Sequence, residues 1–196
     1  MIATTIAMDT IATPLGPLVA AQSPAGLALL EFADRFTAER NRRFLARRFP
    51  AWDGVARGRV PAAVAEELAA YFAGELTRFT LPLDAGGTPF QRRVWAALAA
   101  IPCGTTMSYD EVARAIGEPG KHRAVARANG QNPLAIIVPC HRVIGADGSL
   151  RGYGGGLERK AWLLAHEARM AVRSGSAAAR RSAAAPALSA SPPPPR

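Results

Sequence analysis

Two cysteines, Cys103 and Cys140, and three histidines are all the thiol and imidazole groups that 196 residues contain. So few thiols exclude a disulfide framework and a Cys-rich structural zinc site. His122, His141 and His166 show no ligand-type spacing to a second metal donor. No apolar run approaches the ~20 residues that cross a bilayer. The opening Met1–Thr10 lacks a basic stretch followed by a sustained apolar one, so no secretory signal is expected and a reducing cytoplasm is the expected compartment. Acid is scarce too. Against 24 Lys and Arg stand 15 Asp and Glu, giving a net charge of +9. Residues 171–196 hold Arg173, Arg180, Arg181 and Arg196 without one acid; those four charges set aside, residues 1–170 carry +5. A polyanion such as nucleic acid suits that balance. An Ala/Arg/Gly/Pro-rich coding bias would produce the same numbers, so charge alone leaves both readings open.

What is present suffices for one ordinary domain, or a domain with a small partner, and for a buried core. Residues 1–36 read as β, with apolar runs at Thr13–Ala21 and Gly26–Phe32 separated by Gly/Pro punctuation. Thr37–Phe49 reads as a helix, Leu45 and Phe49 four apart among Arg40, Arg42, Arg43, Arg47 and Arg48 on a solvated face. Pro61–Leu76 reads as a second helix, carrying Val64, Leu68 and Phe72. A short strand is expected over Arg78–Leu83, and Asp84–Gly87 reads as a linker. Thr88-Pro-Phe-Gln91 is a capping box with proline at the first helical position, and Ser108-Tyr-Asp-Glu111 is a second box. Gly117-Glu-Pro-Gly120 then separates that helix from a basic one over Lys121–Asn129, together outlining a helix-turn-helix. Ala135–Val138 is expected as a buried strand ending abruptly at Pro139-Cys140-His141-Arg142, and Leu157–Met170 as the last helix.

The expected fold class is therefore α/β. A small N-terminal mixed α/β domain (short antiparallel sheet plus helices) spans 1–86. A mainly helical domain with the helix-turn-helix and Cys140 spans 87–170. The Ala/Ser/Pro/Arg tail 171–196, with Leu188 its only large apolar residue after Val172, is expected to be disordered.

A thiol at the abrupt end of an apolar run is fixed on rigid backbone, and the imidazole next to it can take its proton, directly or through water, to make a nucleophile. A carboxylate behind His141 would hold its tautomer, and Glu167 is one candidate. A lone cysteine in such a place is ordinarily a small core residue. What sets Cys140 apart is the string Asn129-Gly-Gln-Asn-Pro-Leu-Ala-Ile-Ile-Val-Pro-Cys-His-Arg-Val-Ile-Gly145. It closely resembles the active-site signature of the methylated-DNA–protein-cysteine methyltransferases, the alkyltransferases of DNA repair. Further likenesses are Thr88–Gln91 with Trp95, Ser108-Tyr109, Arg123-Ala-Val125, Gly152-Tyr153 and Trp162–Glu167.

The resemblance implies irreversible, stoichiometric transfer of an alkyl group from 6-O-methylguanine in duplex DNA to Cys140, and leaves 4-O-methylthymine open as a second lesion. It implies His141 as a base acting through water, Glu167 as the carboxylate polarising it, Asn132 as the structural tie to the helix-turn-helix, and Tyr109 as the proton donor. Arg123 would replace the extruded nucleotide, with Tyr109, Ala124 and Arg127 also on DNA in the minor groove. Pro139, Val143, Tyr153 and Gly154 would line the pocket. It implies a monomer with no cofactor, no metal and no membrane. Ala126 stands where a glycine is common in that family. Cys103 reads as a bystander. A helix-turn-helix protein that binds without transfer, and a thiol hydrolase using Cys140, His141 and Glu167, are the competing classes.

Overall fold

The computed structural model describes residues 5–33, 35–52, 55 and 58–183. Strands β1 (Ala7–Ile11), β2 (Leu18–Ser23) and β3 (Gly26–Phe32) form an antiparallel sheet in that order. Ile11 faces Leu18 and Leu18 faces Phe32, with a register shift at Ala21/Gln22. Both faces of the sheet are covered. Leu18, Ala20, Leu27, Leu30 and Phe32 enter the main core, while Ala21, Ala28 and Leu29 pack with Leu45 and Phe49 at helix α1 (Arg35–Arg48). β3 is consequently buried at every position, Glu31 included, which is why its sequence reads as a continuous run instead of an alternating one.

Among the described residues the outer edge of β3 carries no further strand, and two loops take up its backbone groups. The Leu27 amide donates to the Pro82 carbonyl at 2.8 Å, and the Leu30 amide to the Pro133 carbonyl at 2.8 Å. The amides of Asp84 and Ala135 return bonds to the carbonyls of Leu27 and Leu30. An exposed strand edge is thereby closed. Arg78–Leu83, expected as a strand, contributes only the bridge at Leu83, because Pro82 has no N–H with which to extend a ladder.

The second loop corrects another expectation. Ala135–Val138 is a compact turn and not a strand, with Val138 N–H bonded to the Leu134 carbonyl at 2.9 Å and Ile136 at φ 71°. Asn132 causes it. Its Oδ1 accepts from the Leu134 amide at 3.0 Å and its Nδ2 donates to the Val138 carbonyl at 2.8 Å. Side-chain bonds of this kind offer the backbone an alternative to a ladder. They also hold a β-branched residue in the left-handed region, which such residues rarely adopt. Asn132→Ala would strand two buried backbone groups, so we expect it to lower unfolding free energy by about 2–4 kcal/mol in equilibrium denaturation.

Beyond helix α2 (Ala62–Ala73), both capping boxes form as read. Thr88 caps α3 (Pro89–Ala100) and Ser108 caps α4 (Tyr109–Ala115), each reciprocated by Gln91 and Glu111. α4 and α5 (His122–Gly130) make the helix-turn-helix, tied to α3 by Trp95 Nε1 donating to the Ala128 carbonyl at 2.9 Å. A parallel pair missed in sequence, β4 (Met107–Ser108) with β5 (Val143–Ile144), anchors the start of α4 to the chain following Cys140. Helix α6 runs over Leu157–Ala183, past the expected end at Met170, through an alanine-rich stretch with high helix propensity. The rest of the tail, 184–196, lies outside the described residues. One apolar cluster joins residues from either side of Asp84–Gly87, among them Leu30, Leu68, Tyr71, Trp95, Val125 and Leu134.

Candidate active site

Cys140 opens a 3₁₀ turn, Cys140–Arg142, directly after the Asn132 turn. On extended backbone Cys140 and His141 would point apart; the tight turn removes that constraint. All three side chains of the turn are buried. Burial pushes the Cys140 thiol up to about 11, against an opposing hydrogen bond from Asn132. At neutral pH the sulfur therefore keeps its proton unless a base removes it.

The next residue in the chain is the candidate base. His141 is fully buried, and its Nε2 lies 2.9 Å from Glu167 Oε1 on α6. Burial lowers the imidazole pKa despite the carboxylate, so the ring is neutral. With Glu167 ionised, Nε2 carries the hydrogen and donates it. Nδ1 is then the basic nitrogen, and it has no hydrogen-bond partner among the described residues.

Glu167 is held as an anion by more partners than its sequence position discloses. Arg142 Nε donates to Oε2 at 2.8 Å and Nη2 to Oε1 at 2.9 Å. Tyr71 of α2 donates to Oε1 at 2.8 Å, and the Gly104 amide to Oε2 at 3.2 Å. Burial would raise this carboxyl, but the His141 and Arg142 hydrogen bonds and charges outweigh it and hold the group well below the usual range. Gly104 sits at φ 79°, and a Cβ there would come within 2.7 Å of the Ala171 Cβ, so only glycine brings this amide to the carboxylate without strain. Sequence reasoning missed Arg142, Tyr71 and Gly104. The only signal for Arg142 was its place in the motif.

A cavity of about 20 Å³ reaches Cys140, walled by Asn132, Ala135, Tyr153, Gly154 and, from the sheet side, Glu31 and Arg40. That is room for one water-sized group. Tyr153 lies edge-on to Phe32 and His141, both at 6.4 Å between ring centres. Gly155 is required beside it, because a Cβ would meet the Phe32 ring at 2.6 Å. Lys160, buried in α6, fastens this loop to β5 by donating to the carbonyls of Arg151 and Val143, each at 2.6 Å.

Tyr109, the first residue of α4, is half-buried with its hydroxyl 3.3 Å from the Arg151 carbonyl. Burial, then the nearby Cys140 charge, raises its pKa, keeping the phenol protonated. Of the expected site residues, Cys140, Asn132, Tyr153 and Gly154 line the cavity, whereas His141 and Glu167 form a buried pair that does not line it and Tyr109 stands at the Arg151 carbonyl. Pro139 and Val143 are buried near Cys140 in the chain without lining the cavity. Arg123, Ala124 and Arg127 lie apart, exposed on the outer face of α5. Cys103 lies behind Glu167, in a separate cleft with Arg142 and Ile101. His122 is exposed; His166 is buried, stacked on Trp162 at 4.9 Å and bonded to the Tyr71 carbonyl.

Comparison with known proteins gives a consistent result. Residues 6–85 match the family description "6-O-methylguanine DNA methyltransferase, ribonuclease-like domain", and residues 89–169 match "6-O-methylguanine DNA methyltransferase, DNA binding domain". A methylated-DNA–protein-cysteine methyltransferase of Salmonella typhimurium is 48% identical over 169 residues, covering 84% of this chain and 96% of its own. One from Mycolicibacterium paratuberculosis is 62% identical over 113 residues, 58% of this chain and 68% of its own. The crystal structure of the Mycobacterium tuberculosis O6-methylguanine methyltransferase superposes with a TM-score of 0.72 at 46% identity, over 85% of this chain and 94% of that one. The Mycobacterium tuberculosis protein in complex with DNA superposes with a TM-score of 0.69 at 46% identity, over 82% and 92%.

Proposed function

Because the chain belongs to the 6-O-methylguanine DNA methyltransferase family, we propose that Cys140 is the atom-accepting residue of its reaction. The protein repairs DNA by direct reversal, moving the alkyl group of 6-O-alkylated guanine in duplex DNA onto its own cysteine. The observation that carries the assignment is the neutral His141 beside Cys140. Its Nε2 is committed to an ionised Glu167, and its Nδ1 is unpartnered.

In this reading His141 takes the thiol proton at Nδ1 through a bridging water. The thiolate attacks the alkyl carbon, so that an S–C bond forms as the C–O bond breaks. The departing guanine oxygen takes the bonding electrons, and Tyr109 supplies a proton to it, stabilising charge where it develops. Tyr109 regains its proton through water as His141 releases the one it took, so that overall the thiol's hydrogen ends on guanine. The family's reaction leaves the alkyl group on the cysteine as a thioether, so each chain acts once.

A stacked base hides its modified oxygen, so the nucleotide must be extruded at a cost of a few kcal/mol. Arg123, exposed near the start of α5, is long enough to fill the gap left in the stack, with Ala124 and Arg127 against the minor groove. We assign DNA contact and chemistry to residues 87–170, and to residues 1–86 the Tyr71 support of Glu167. No helix among the described residues is long and apolar enough to cross a membrane, and we assign the reaction to the cytoplasm.

The test is to incubate the protein with duplex DNA carrying labelled 6-O-methylguanine and locate the label. We expect it on the peptide containing Cys140, at no more than one per chain. Release to solvent would instead identify a thiol hydrolase, and retention on DNA a binding protein that transfers nothing.

A further inference from the structure

The wall of the Cys140 cavity has a component that the transfer reaction itself does not require. Glu31, in β3, is the one acid in an otherwise apolar strand and is almost wholly buried. Its Oε1 takes a hydrogen bond of 2.7 Å from Arg40 Nη2 on α1, whose side chain stays half open to solvent. The same guanidinium rests on the loop over the sulfur, since both its terminal nitrogens lie 3.5 Å from where a Gly154 Cβ would be. Arg40 thus spans from the sheet to the pocket loop along the wall of the cavity that Cys140 also lines.

The geometry of displacement says what that wall is for. Sulfur approaches the alkyl carbon opposite the breaking C–O bond, so whatever else that carbon bears must spread sideways, beside the sulfur. The cavity at Cys140 is about 20 Å³, room for one methyl-sized group, so the base and whatever alkyl group it bears enter only as far as the loop over the sulfur gives way. A loop written Gly152-Tyr-Gly-Gly-Gly156 could yield to a larger group if nothing held it. What holds it is Arg40, itself held by Glu31.

We propose that the Glu31–Arg40 ion pair is a specificity determinant of the transfer, closing the alkyl end of the pocket and restricting the reaction to small alkyl groups. This rests on Cys140 being the acceptor. Burial raises the Glu31 carboxyl to about 7 even with Arg40 opposing it, so the pair depends on both members for its charge. Without the guanidinium, the carboxyl would take a proton and the end wall would lose its strut.

The experiment measures single-turnover rates of wild type, Arg40→Ala, Arg40→Lys and Glu31→Gln on duplexes carrying 6-O-methylguanine or 6-O-benzylguanine. Arg40→Ala is expected to raise the benzyl-to-methyl rate ratio by roughly tenfold or more, the discrimination a pocket wall ordinarily supplies. Arg40→Lys, which keeps a cation of similar reach, should stay near the wild-type ratio. Glu31→Gln, which keeps volume and removes charge, should move the ratio in the same direction as Arg40→Ala. A ratio unchanged or lowered in both Arg40→Ala and Glu31→Gln, while methyl groups still reach Cys140, overturns the assignment of the ion pair. Failure of the wild type to methylate Cys140 would overturn the reading beneath it instead.

Discussion

Cys140→Ala binds alkylated duplex as the wild type does and acquires no label from it: that is the expected result with the largest effect. Among the described residues lining the cavity the sulfur is the only thiol, and the one carboxylate there, Glu31, is tied up by Arg40. Cys103 cannot substitute. It lies in a different cleft, on the far side of Glu167, and burial followed by the Glu167 charge raises its own thiol to about 11. DNA contact should survive because Arg123, Ala124 and Arg127 project from the exposed face of α5, away from the buried turn that carries Cys140. Removing one buried sulfur leaves a small void, with an expected stability loss of about 1 kcal/mol, too little to unfold the chain. The measurement pairs a gel-shift titration with mass analysis of the tryptic peptide. Label on any peptide of the variant would sink the assignment, and so would loss of binding with the fold intact.

The order in which residues became readable follows how local their interactions are. Both capping boxes were visible because Thr88 and Gln91, or Ser108 and Glu111, meet within one helical turn. The helix-turn-helix was visible because its turn is written in glycine and proline. Cys140, His141 and Glu167 were visible only through a long motif, since the His141–Glu167 bond joins residues 26 apart. Tyr71 is 96 residues from the carboxylate it serves, and no pattern of spacing signals that.

The misreadings have the same origin. Ala135–Val138 is an apolar run, and a run of that length is equally suited to a strand or a buried turn. The choice was made by Asn132, whose amide bonds the backbone on both sides, and by the β3 edge, which accepts one bridge from Leu134 and no more. β4 and β5 are two residues each, too short to leave any periodicity. Glu31 and Arg40 read as a strand residue and a solvated helix face. Their meeting at the Cys140 cavity required the sheet to be docked on the active-site turn first.

Glu167→Gln should bring methyl transfer close to a halt at neutral pH while leaving the sulfur in place. The carboxylate has five donors, three on Oε1 and two on Oε2. An amide has one acceptor oxygen, so whichever way it turns, its NH₂ faces an Arg142 N–H that can only donate. Turned toward His141, it forces the ring into the tautomer with hydrogen on Nδ1 and removes the base from Cys140. The corresponding change in hydrolase triads costs about ten-thousandfold in rate, and about a thousandfold to ten-thousandfold is expected here. Arg142 is left buried without its counter-charge, which costs about 3–5 kcal/mol of stability. The same cluster weakens in the wild type under acid. Glu167 is depressed when folded, so its contribution is present above the ordinary carboxyl pKa of 4.5 and disappears as pH falls through the folded value. Lost activity could follow from lost folding, and the pH profile separates the two. If only the base is missing, thiolate formed by alkali replaces it, and the variant's rate should climb about tenfold per pH unit toward 11, where the Cys140 thiol ionises. Tyr71→Phe, which removes one donor and keeps the charge, should lose no more than about tenfold. A Glu167→Gln protein that is folded and transfers at the wild-type rate at pH 7 would mean that His141 needs no carboxylate behind it.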